Sequence, residues 1–166
     1  MPAVVNRLLG GKSAACVRSV ATGGETTPQM ISQGPSQVDV WYDARFDHNI
    51  AVIWSGTNDW TMGGNAAQTY TDIETWCLAR RAAGFDVIVF TLHPEGNVNY
   101  MTFRADFNAA LLTDHDFCDA IADTTGEALL VPTDLTYYLS DHVHLTAAGN
   151  ELVSPYVVTA IQTLLI

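Results

Sequence analysis

The stretch from Ile50 to Trp60 constrains the fold most, because a short apolar run there stops at a glycine and is followed by polar side chains. A run of this length, rich in β-branched residues, is typical of a strand buried on both faces of a parallel sheet. Ligands of open α/β sheets bind just beyond the carboxyl ends of such strands. Gly56 allows a sharp turn, after which the amide of Asn58 could be aimed at a developing negative charge. The same residues also suit an ordinary strand-to-loop turn, so a site and a simple turn both remain open.

Composition narrows the class of protein. A chain of 166 residues suits one domain, spanning residues 1–166, and 48% hydrophobic against 15% charged residues indicates a folded globule. The net charge of -11, with only seven Lys and Arg, argues against a nucleic-acid partner, since that binding depends on cationic side chains. No apolar stretch approaches the roughly 18 residues of a membrane span, and the start lacks the pattern of a signal peptide. We therefore expect a soluble, cytoplasmic protein.

The cysteines indicate neither a disulfide framework nor a zinc site. Cys16, Cys77 and Cys118 are odd in number and widely spaced. Cys77 falls in a helical pattern and Cys118 lies beside an apolar segment. We therefore expect both to be buried free thiols.

Helical and strand patterns alternate along the chain. In the first part the patterns predict a helix at Pro2–Leu9, a strand at Ala14–Thr22, a short helix ending near Ser32, a loop at Gly34-Pro35-Ser36, a helical turn or edge strand at Val38–Tyr42, and the strand Ile50–Ser55. In the second part they predict a helix at Ala66–Ala83, a strand at Phe85–Leu92, a helix at Tyr100–Leu112, a short strand or helix end at Phe117–Ala122, and a closing helix at Thr146–Ile166. Strand, helix and strand in this order imply a parallel crossover.

A second polar group stands just before the closing helix. Asp141 precedes His144 by three residues, so its carboxylate can fold back to accept the imidazole N–H. That contact would fix the tautomer of His144 and stabilise the imidazolium formed when it takes a proton from a nucleophile. An Asp-capped turn with surface histidines explains the same residues. Both interpretations stay open from this segment alone.

Together these segments resemble the SGNH hydrolases, also called GDSL esterases and lipases. The segment Gly23-Gly24-Glu25-Thr26-Thr27 is similar to the second block of that family, Gly56-Thr57-Asn58-Asp59 to the third, and Asp141-His142-Val143-His144 to the fifth. The helix and strand from Trp76 to Pro94 resemble the part between the third and fifth blocks. The resemblance implies a three-layer α/β/α flavodoxin-like fold with a parallel sheet. It also implies hydrolysis of a small acyl or acetyl ester, such as an acylated carbohydrate, without a cofactor.

The resemblance also implies roles for particular residues. In that mapping His144 is the general base and Asp141 orients it, while the Gly24 backbone N–H and the Asn58 side chain line the oxyanion hole. Trp60 and His93 each follow a predicted strand end, and we expect them to bind substrate. Either could instead cover the core.

One block of the family has no match here. The missing block, a Gly-Asp-Ser turn, supplies the nucleophile and a central strand, and we expect it just before Met1. Ser55 is the nearest substitute nucleophile by position, ahead of Ser13 and Ser140. Without that strand, Ala14–Thr22 would pair directly with Ile50–Ser55, or a second copy would contribute a strand and form a homodimer.

Two further hypotheses stand beside the esterase. The chain could be a catalytically inactive relative that binds a carbohydrate or acylated ligand, or an assembly protein. Alternatively, His142 and His144 could bind a metal together with His93 or Asp141. We expect no metal, because the neighbouring Asp and the helix start already account for this segment.

Overall fold

Five α-helices and three strands alternate along residues 16–165, the part of the chain that the computed structural model describes. The helices are α1 (Thr27–Gln37), α2 (Thr57–Thr61), α3 (Ala66–Ala82), α4 (Val98–Thr113) and α5 (Ala147–Leu164), and a 3-10 helix spans Asp39–Trp41. The strands are β1 (Ile50–Ile53), β2 (Asp86–Phe90) and β3 (Ala120–Ala122). The helix predicted at Pro2–Leu9 and the candidate Ser13 lie outside the described residues.

The three strands form a parallel sheet, as the sequence predicted, and their order is β1-β2-β3. The expectation that β1 is buried on both faces is wrong at Val52, which is 44% exposed because β1 has a neighbouring strand on only one side within the described residues. Ile53 lies opposite Val89, and Phe90 lies opposite Ala122, so the carboxyl ends of the strands meet at one edge. The last four residues of β2 are all buried. A strand covered on both faces needs such a continuous apolar run rather than alternation.

Helices cover both faces of the sheet. Val87 and Val89 of β2 pack in a core with residues of α1, α3 and α4, whereas Ile88 and Phe90 point to the other face and pack against α5. This is the predicted three-layer α/β/α arrangement. Phe117–Ala122 takes the strand alternative, because Ala120–Ala122 extends the sheet beside β2.

The strand predicted at Ala14–Thr22 is wrong for residues 16–22, which have no strand in the structure. Val17 and Val20 stay 39% and 38% exposed, and the Arg18 guanidinium lies 3.9 Å from the ring centre of Trp41. A β-branched run becomes a strand only when a partner strand pairs with it. Within the described residues β1 pairs with β2 alone, so the expected pairing of residues 16–22 with Ile50–Ser55 is also wrong. The homodimer stays a prediction.

The loop predicted at Gly34-Pro35-Ser36 is instead part of α1, which continues to Gln37. Gly34 is buried against the Arg80 guanidinium, where a side chain would collide, and Arg80 forms an ion pair with Asp39 at 2.7 Å between Nε and Oδ1. This packing stabilises the helix although Pro35 lacks an N–H. The next segment, Val38–Tyr42, takes the helical-turn alternative.

The remaining element ends differ from the predictions by a few residues. The closing helix begins at Ala147 because the side chain of Thr146 accepts the Gly149 N–H as an N-cap. Cys77 and Cys118 are buried free thiols, as predicted, and Cys16 is exposed. None of the helices within residues 16–165 is long and apolar enough to cross a membrane.

Candidate active site

A cleft of about 350 Å³ opens at the carboxyl ends of β1 and β2. Its lining comes from residues 54–58 after β1, residues 92, 93 and 95 after β2, residues 143–145 before α5, parts of the segment that leads into α1, and Met30 and Asn150 of the two helices. In an open α/β sheet this is the edge where ligands bind. The cleft therefore brings together Asn58, His93 and His144, three polar residues that are far apart in the sequence.

His144 and Asp141 are in direct contact at the rim of this cleft. The His144 Nδ1 lies 2.8 Å from Asp141 Oδ2, and Asp141 Oδ1 accepts the backbone N–H groups of Val143 and His144 at 2.9 and 3.0 Å. These hydrogen bonds, led by the His144 backbone N–H, hold the pKa of the Asp141 carboxyl well below its usual range. The carboxylate is thus ionised at neutral pH and accepts the proton on Nδ1, which leaves Nε2 as the basic nitrogen.

The backbone around this pair is fixed by contacts with the segments that follow β2 and β3. His142 adopts the left-handed region at φ 58°, and its carbonyl accepts the Gly96 N–H at 2.9 Å. The His142 Nδ1 lies 2.8 Å from the Pro132 carbonyl, and the hydroxyl of Tyr138 donates to Pro94 O at 2.8 Å. A non-glycine residue at positive φ is strained and is maintained only by such surroundings. The turn that presents His144 is therefore held from both sides.

Asn58 is oriented by the segment that precedes α1. Its side-chain amide donates one hydrogen to Glu25 O at 2.9 Å, and it lines the cleft together with Glu25. Because an amide carries two hydrogens on nitrogen, a second N–H remains for a ligand. Gly56, at φ 136°, allows the chain to turn from β1 into α2 and brings Asn58 to the edge of the sheet.

Asp59, the residue after Asn58, also connects α2 to the start of α1. Asp59 is buried, and its carboxylate accepts the Thr27 backbone N–H at 3.0 Å and the Thr27 hydroxyl at 2.6 Å. Consecutive side chains of α2 thus bind the start of α1 at two points. We did not predict Asp59 as part of the site, because its partner lies 32 residues away in sequence.

Gly24, the predicted backbone donor, lies in the turn before α1 with φ 80° and is exposed. It does not itself line the cleft, whereas the next residue, Glu25, does. Glu25 is buried, and its Oε1 has no hydrogen-bond partner among the described residues. The sequence analysis missed Glu25 as a cleft residue, although its place inside a Gly-Gly-Glu turn was a usable signal.

His93 lines the cleft and contacts the turn that presents His144. Its Nε2 lies 3.0 Å from the Val143 carbonyl, so this nitrogen carries the proton and donates, while Nδ1 is buried without a partner in the described part of the chain. Its ring packs edge to face on Trp54, with centroids 5.0 Å apart. Burial lowers the pKa of His93 to about 4, so the imidazole is neutral at physiological pH.

Trp60 lies outside this cleft, in a neighbouring depression of about 490 Å³. The depression and the cleft share Thr57, Glu95 and Val143. Glu95 is buried, and its Oε1 accepts the Thr57 hydroxyl at 2.7 Å; burial raises the pKa of this carboxyl. Glu95 was also missed, although it follows the end of β2 as closely as His93 does.

Among the serines of the described residues, only Ser55 lines the cleft. It stands two residues after the end of β1 and three residues before Asn58. Ser140 adjoins Asp141 but lines neither the cleft nor the depression.

The metal hypothesis finds no support in the geometry. The three histidines it invoked each direct a ring nitrogen at a protein oxygen, namely His93 at Val143, His142 at Pro132 and His144 at Asp141. Within residues 16–165, no group of three or more His, Cys, Asp or Glu side chains is arranged to hold a metal ion.

Comparisons with known proteins agree on the family and the fold. A sequence model of the GDSL-like lipase/acylhydrolase family matches residues 1–152. The chain is similar to the crystal structure of a carbohydrate esterase family 3 protein from Talaromyces cellulolyticus, with a TM-score of 0.72 and 17% identity over 98% of this chain and 89% of that chain. It is also similar to the psychrotrophic esterase EstA from Pseudoalteromonas sp., in a structure inhibited by monoethylphosphonate, with a TM-score of 0.61 and 16% identity over 86% and 74% of the two chains. No curated protein matches the chain.

Proposed function

Since the chain belongs to the GDSL-like lipase/acylhydrolase family, we propose that it is an ester hydrolase scaffold of the SGNH type, acting on a small acyl or acetyl ester. One observation carries this proposal. The imidazole of His144, paired with Asp141 at 2.8 Å, lines the same cleft as the amide of Asn58. A general base and an oxyanion donor at one cleft are the two parts that acyl transfer needs besides a nucleophile.

His144 would act as the general base in this reaction. Its Nε2 takes the proton from the attacking hydroxyl and returns it to the oxygen of the leaving alcohol. Asp141 holds the Nδ1 proton and stabilises the imidazolium that forms between these two transfers. In triads of this kind, losing the orienting carboxylate reduces the rate by about 10⁴.

Asn58 and the backbone N–H of Gly24 would receive the oxyanion. The hydrogen bond from Asn58 to Glu25 O orients the amide before substrate arrives, so no reorganisation is needed as charge develops. A single donor of this kind stabilises the transition state by roughly 3 kcal/mol. Gly24 precedes the cleft-lining Glu25 in the turn before α1, which supports its assignment as the second donor.

A small ester or an acylated carbohydrate is the substrate that this cleft supports best. Its volume of about 350 Å³ suits a short acyl group, and the similar structure of a carbohydrate esterase makes a sugar ester a reasonable class. His93, beside the catalytic turn, would contact the substrate. A cytoplasmic location and a homodimer remain predictions.

The mechanism also needs a nucleophile, and among the described residues Ser55 is the candidate, since it lines the cleft. We would treat the 166-residue chain with a fluorophosphonate and measure intact mass, followed by peptide mapping. One adduct on a serine, lost in His144→Ala, is the expected result, because the adduct requires a serine activated by that base. Ser55→Ala then tests whether Ser55 is the modified residue.

A matched control comes from a second His–Asp pair in the same chain. His48 Nδ1 lies 3.1 Å from Asp86 Oδ2, at the amino end of β2 and away from the cleft. His48→Ala should leave the adduct intact. If no adduct forms in the wild-type chain, the alternative is favoured, in which the protein binds a carbohydrate or acylated ligand in the cleft without turnover.

A further inference from the structure

We propose that the depression containing Trp60 binds the alcohol portion of the ester, and that this portion is a neutral, hydroxyl-rich ring such as a pyranose. The proposal deepens the function above and rests on it for the claim that the ring belongs to the substrate. It concerns a site next to the cleft, lined by Thr57, Trp60, Glu95, Asn97 and Asp141 among others.

The depression adjoins the cleft. Thr57, Glu95 and Val143 line both, while the catalytic turn presents His144 to the cleft and Asp141 to the depression. An ester whose carbonyl lies by Asn58 and His144 can therefore extend its alcohol portion past Thr57 into the depression. The volume of about 490 Å³ lies within the range of small-molecule sites.

Trp60 provides a fixed aromatic wall for a ring. It is half-buried and packs edge to face on Tyr100, with ring centroids 5.4 Å apart and an interplanar angle of 72°. Tyr100 is fully buried, and its hydroxyl lies 3.2 Å from the Thr57 hydroxyl. The indole orientation is thus set before a ligand arrives, which reduces the entropy lost on binding.

Val98 and Val143 add apolar surface to the lining, and several of the other lining groups can bind hydroxyls. Thr61 and Asn97 are exposed, and the side chain of Asn97 accepts the Asn99 N–H at 2.9 Å as the cap of α4, so its NH2 group remains a donor to a ligand. Asp141 adds a carboxylate acceptor. Donors and acceptors around one aromatic wall match a ring that carries several hydroxyl groups.

The carboxyl groups that line the depression disfavour binding of an anionic ligand there. The depression has no Lys or Arg among its lining residues, and it includes the carboxyl groups of Glu95 and Asp141. The chain as a whole carries a net charge of -11. A uronate or phosphorylated ring would meet like charge without a compensating cation, so the ligand class narrows to neutral rings.

The test is a titration of the ¹⁵N-labelled protein with methyl β-glucopyranoside, followed through the indole N–H signals of its four tryptophans. Two probes of similar size serve as controls: glucuronate, which adds a carboxylate, and cyclohexanol, which keeps one hydroxyl. We expect the glucoside to shift the Trp60 signal and both controls to bind at least about tenfold more weakly. Trp60→Leu should weaken glucoside binding by about tenfold, and Trp60→Phe by less, because an aromatic face remains.

Three results would overturn the proposal: an unmoved Trp60 signal at saturating glucoside, equal binding of either control, or a shift of Trp54 alone, which would put the ring in the cleft. The wild-type titration decides the question even if Trp60→Leu fails to fold. Binding of the glucoside needs no nucleophile, so it separates from the fluorophosphonate result. An adduct without glucoside binding supports the esterase and overturns this site. Glucoside binding without an adduct supports the ring site but overturns the claim that the ring belongs to an ester substrate.

Discussion

Acidification should weaken folding through His93, by an amount that follows from its surroundings. The imidazole donates Nε2–H to Val143 O, and Nδ1 is buried with no partner in the described part of the chain, so a second proton would be introduced at an unsolvated nitrogen. Burial is the largest cause that lowers its pKa from 6.5 to about 4, and the nearby charges of Arg104 and His144 add to it. Between about pH 6.5 and pH 4, the unfolded chain therefore binds a proton at His93 that the folded chain does not bind.

The sign and size of the effect can be worked out. Because the pKa is lowered in the folded state, the contribution of His93 to stability is complete above pH 6.5 and is lost as the pH falls towards about 4. Each unit of pKa difference corresponds to about 1.4 kcal/mol, so the loss between pH 7 and pH 5 is about 2 kcal/mol and approaches about 3 kcal/mol below pH 4.

The assay is urea unfolding at pH 7 and pH 5, followed by tryptophan fluorescence, for the wild type and His93→Gln. Glutamine keeps a donor for Val143 O but does not titrate, and every other titrating group is unchanged. The free energy of unfolding of the variant should fall by about 2 kcal/mol less than that of the wild type across this range. Equal losses in both proteins would refute the reasoning, because they would show that His93 protonates freely in the folded state.

Three further substitutions test contacts around the site. Gly149→Ala would place Cβ against the Tyr137 carbonyl oxygen, so we expect a loss of about 1 to 3 kcal/mol in the free energy of unfolding. Asp59→Ala removes the acceptor of the buried Thr27 N–H and hydroxyl, and urea unfolding should show a loss of about 2 to 3 kcal/mol. For Glu95→Gln, the raised pKa of the wild-type carboxyl means that stability is lost as the pH rises above 4.5, so the variant should gain stability relative to the wild type from pH 4 to pH 7.

Controls for these substitutions come from the same chain. Gly126→Ala adds a Cβ with no atom within 4 Å, and it should change the free energy of unfolding by less than about 0.5 kcal/mol. A similar loss in Gly126→Ala and Gly149→Ala would show that the contact with the Tyr137 carbonyl does not set the effect, since helix propensity alone favours Ala over Gly at position 149. A stability of Asp59→Ala equal to the wild type would mean that water replaces the lost acceptor. A gain for Glu95→Gln that does not change with pH would contradict the raised pKa.

Short-range patterns predicted much of the fold and part of the site. The apolar run at β1, closed by Gly56, predicted a parallel strand with polar groups at its end. It did not predict that Val52 is exposed on one face of the sheet. The three-residue spacing of Asp141 and His144 predicted their contact, because a turn of that length brings the two side chains together. These features depend on neighbouring residues, so the local sequence contains what is needed to infer them.

Long-range contacts decided the rest. Residues 16–22 have β-branched side chains but no strand, because a strand needs a partner at its edge. Gly34 lies within a helix and not a loop because Arg80, far away in sequence, packs against it. Asn58 and Glu25 are 33 residues apart, and His93 and Val143 are 50 apart. The sequence by itself determined which strand ends have polar side chains, whereas only the tertiary structure decided which of these groups orient one another. The reason is that a side chain meets its partner through the packing of elements that are distant in sequence.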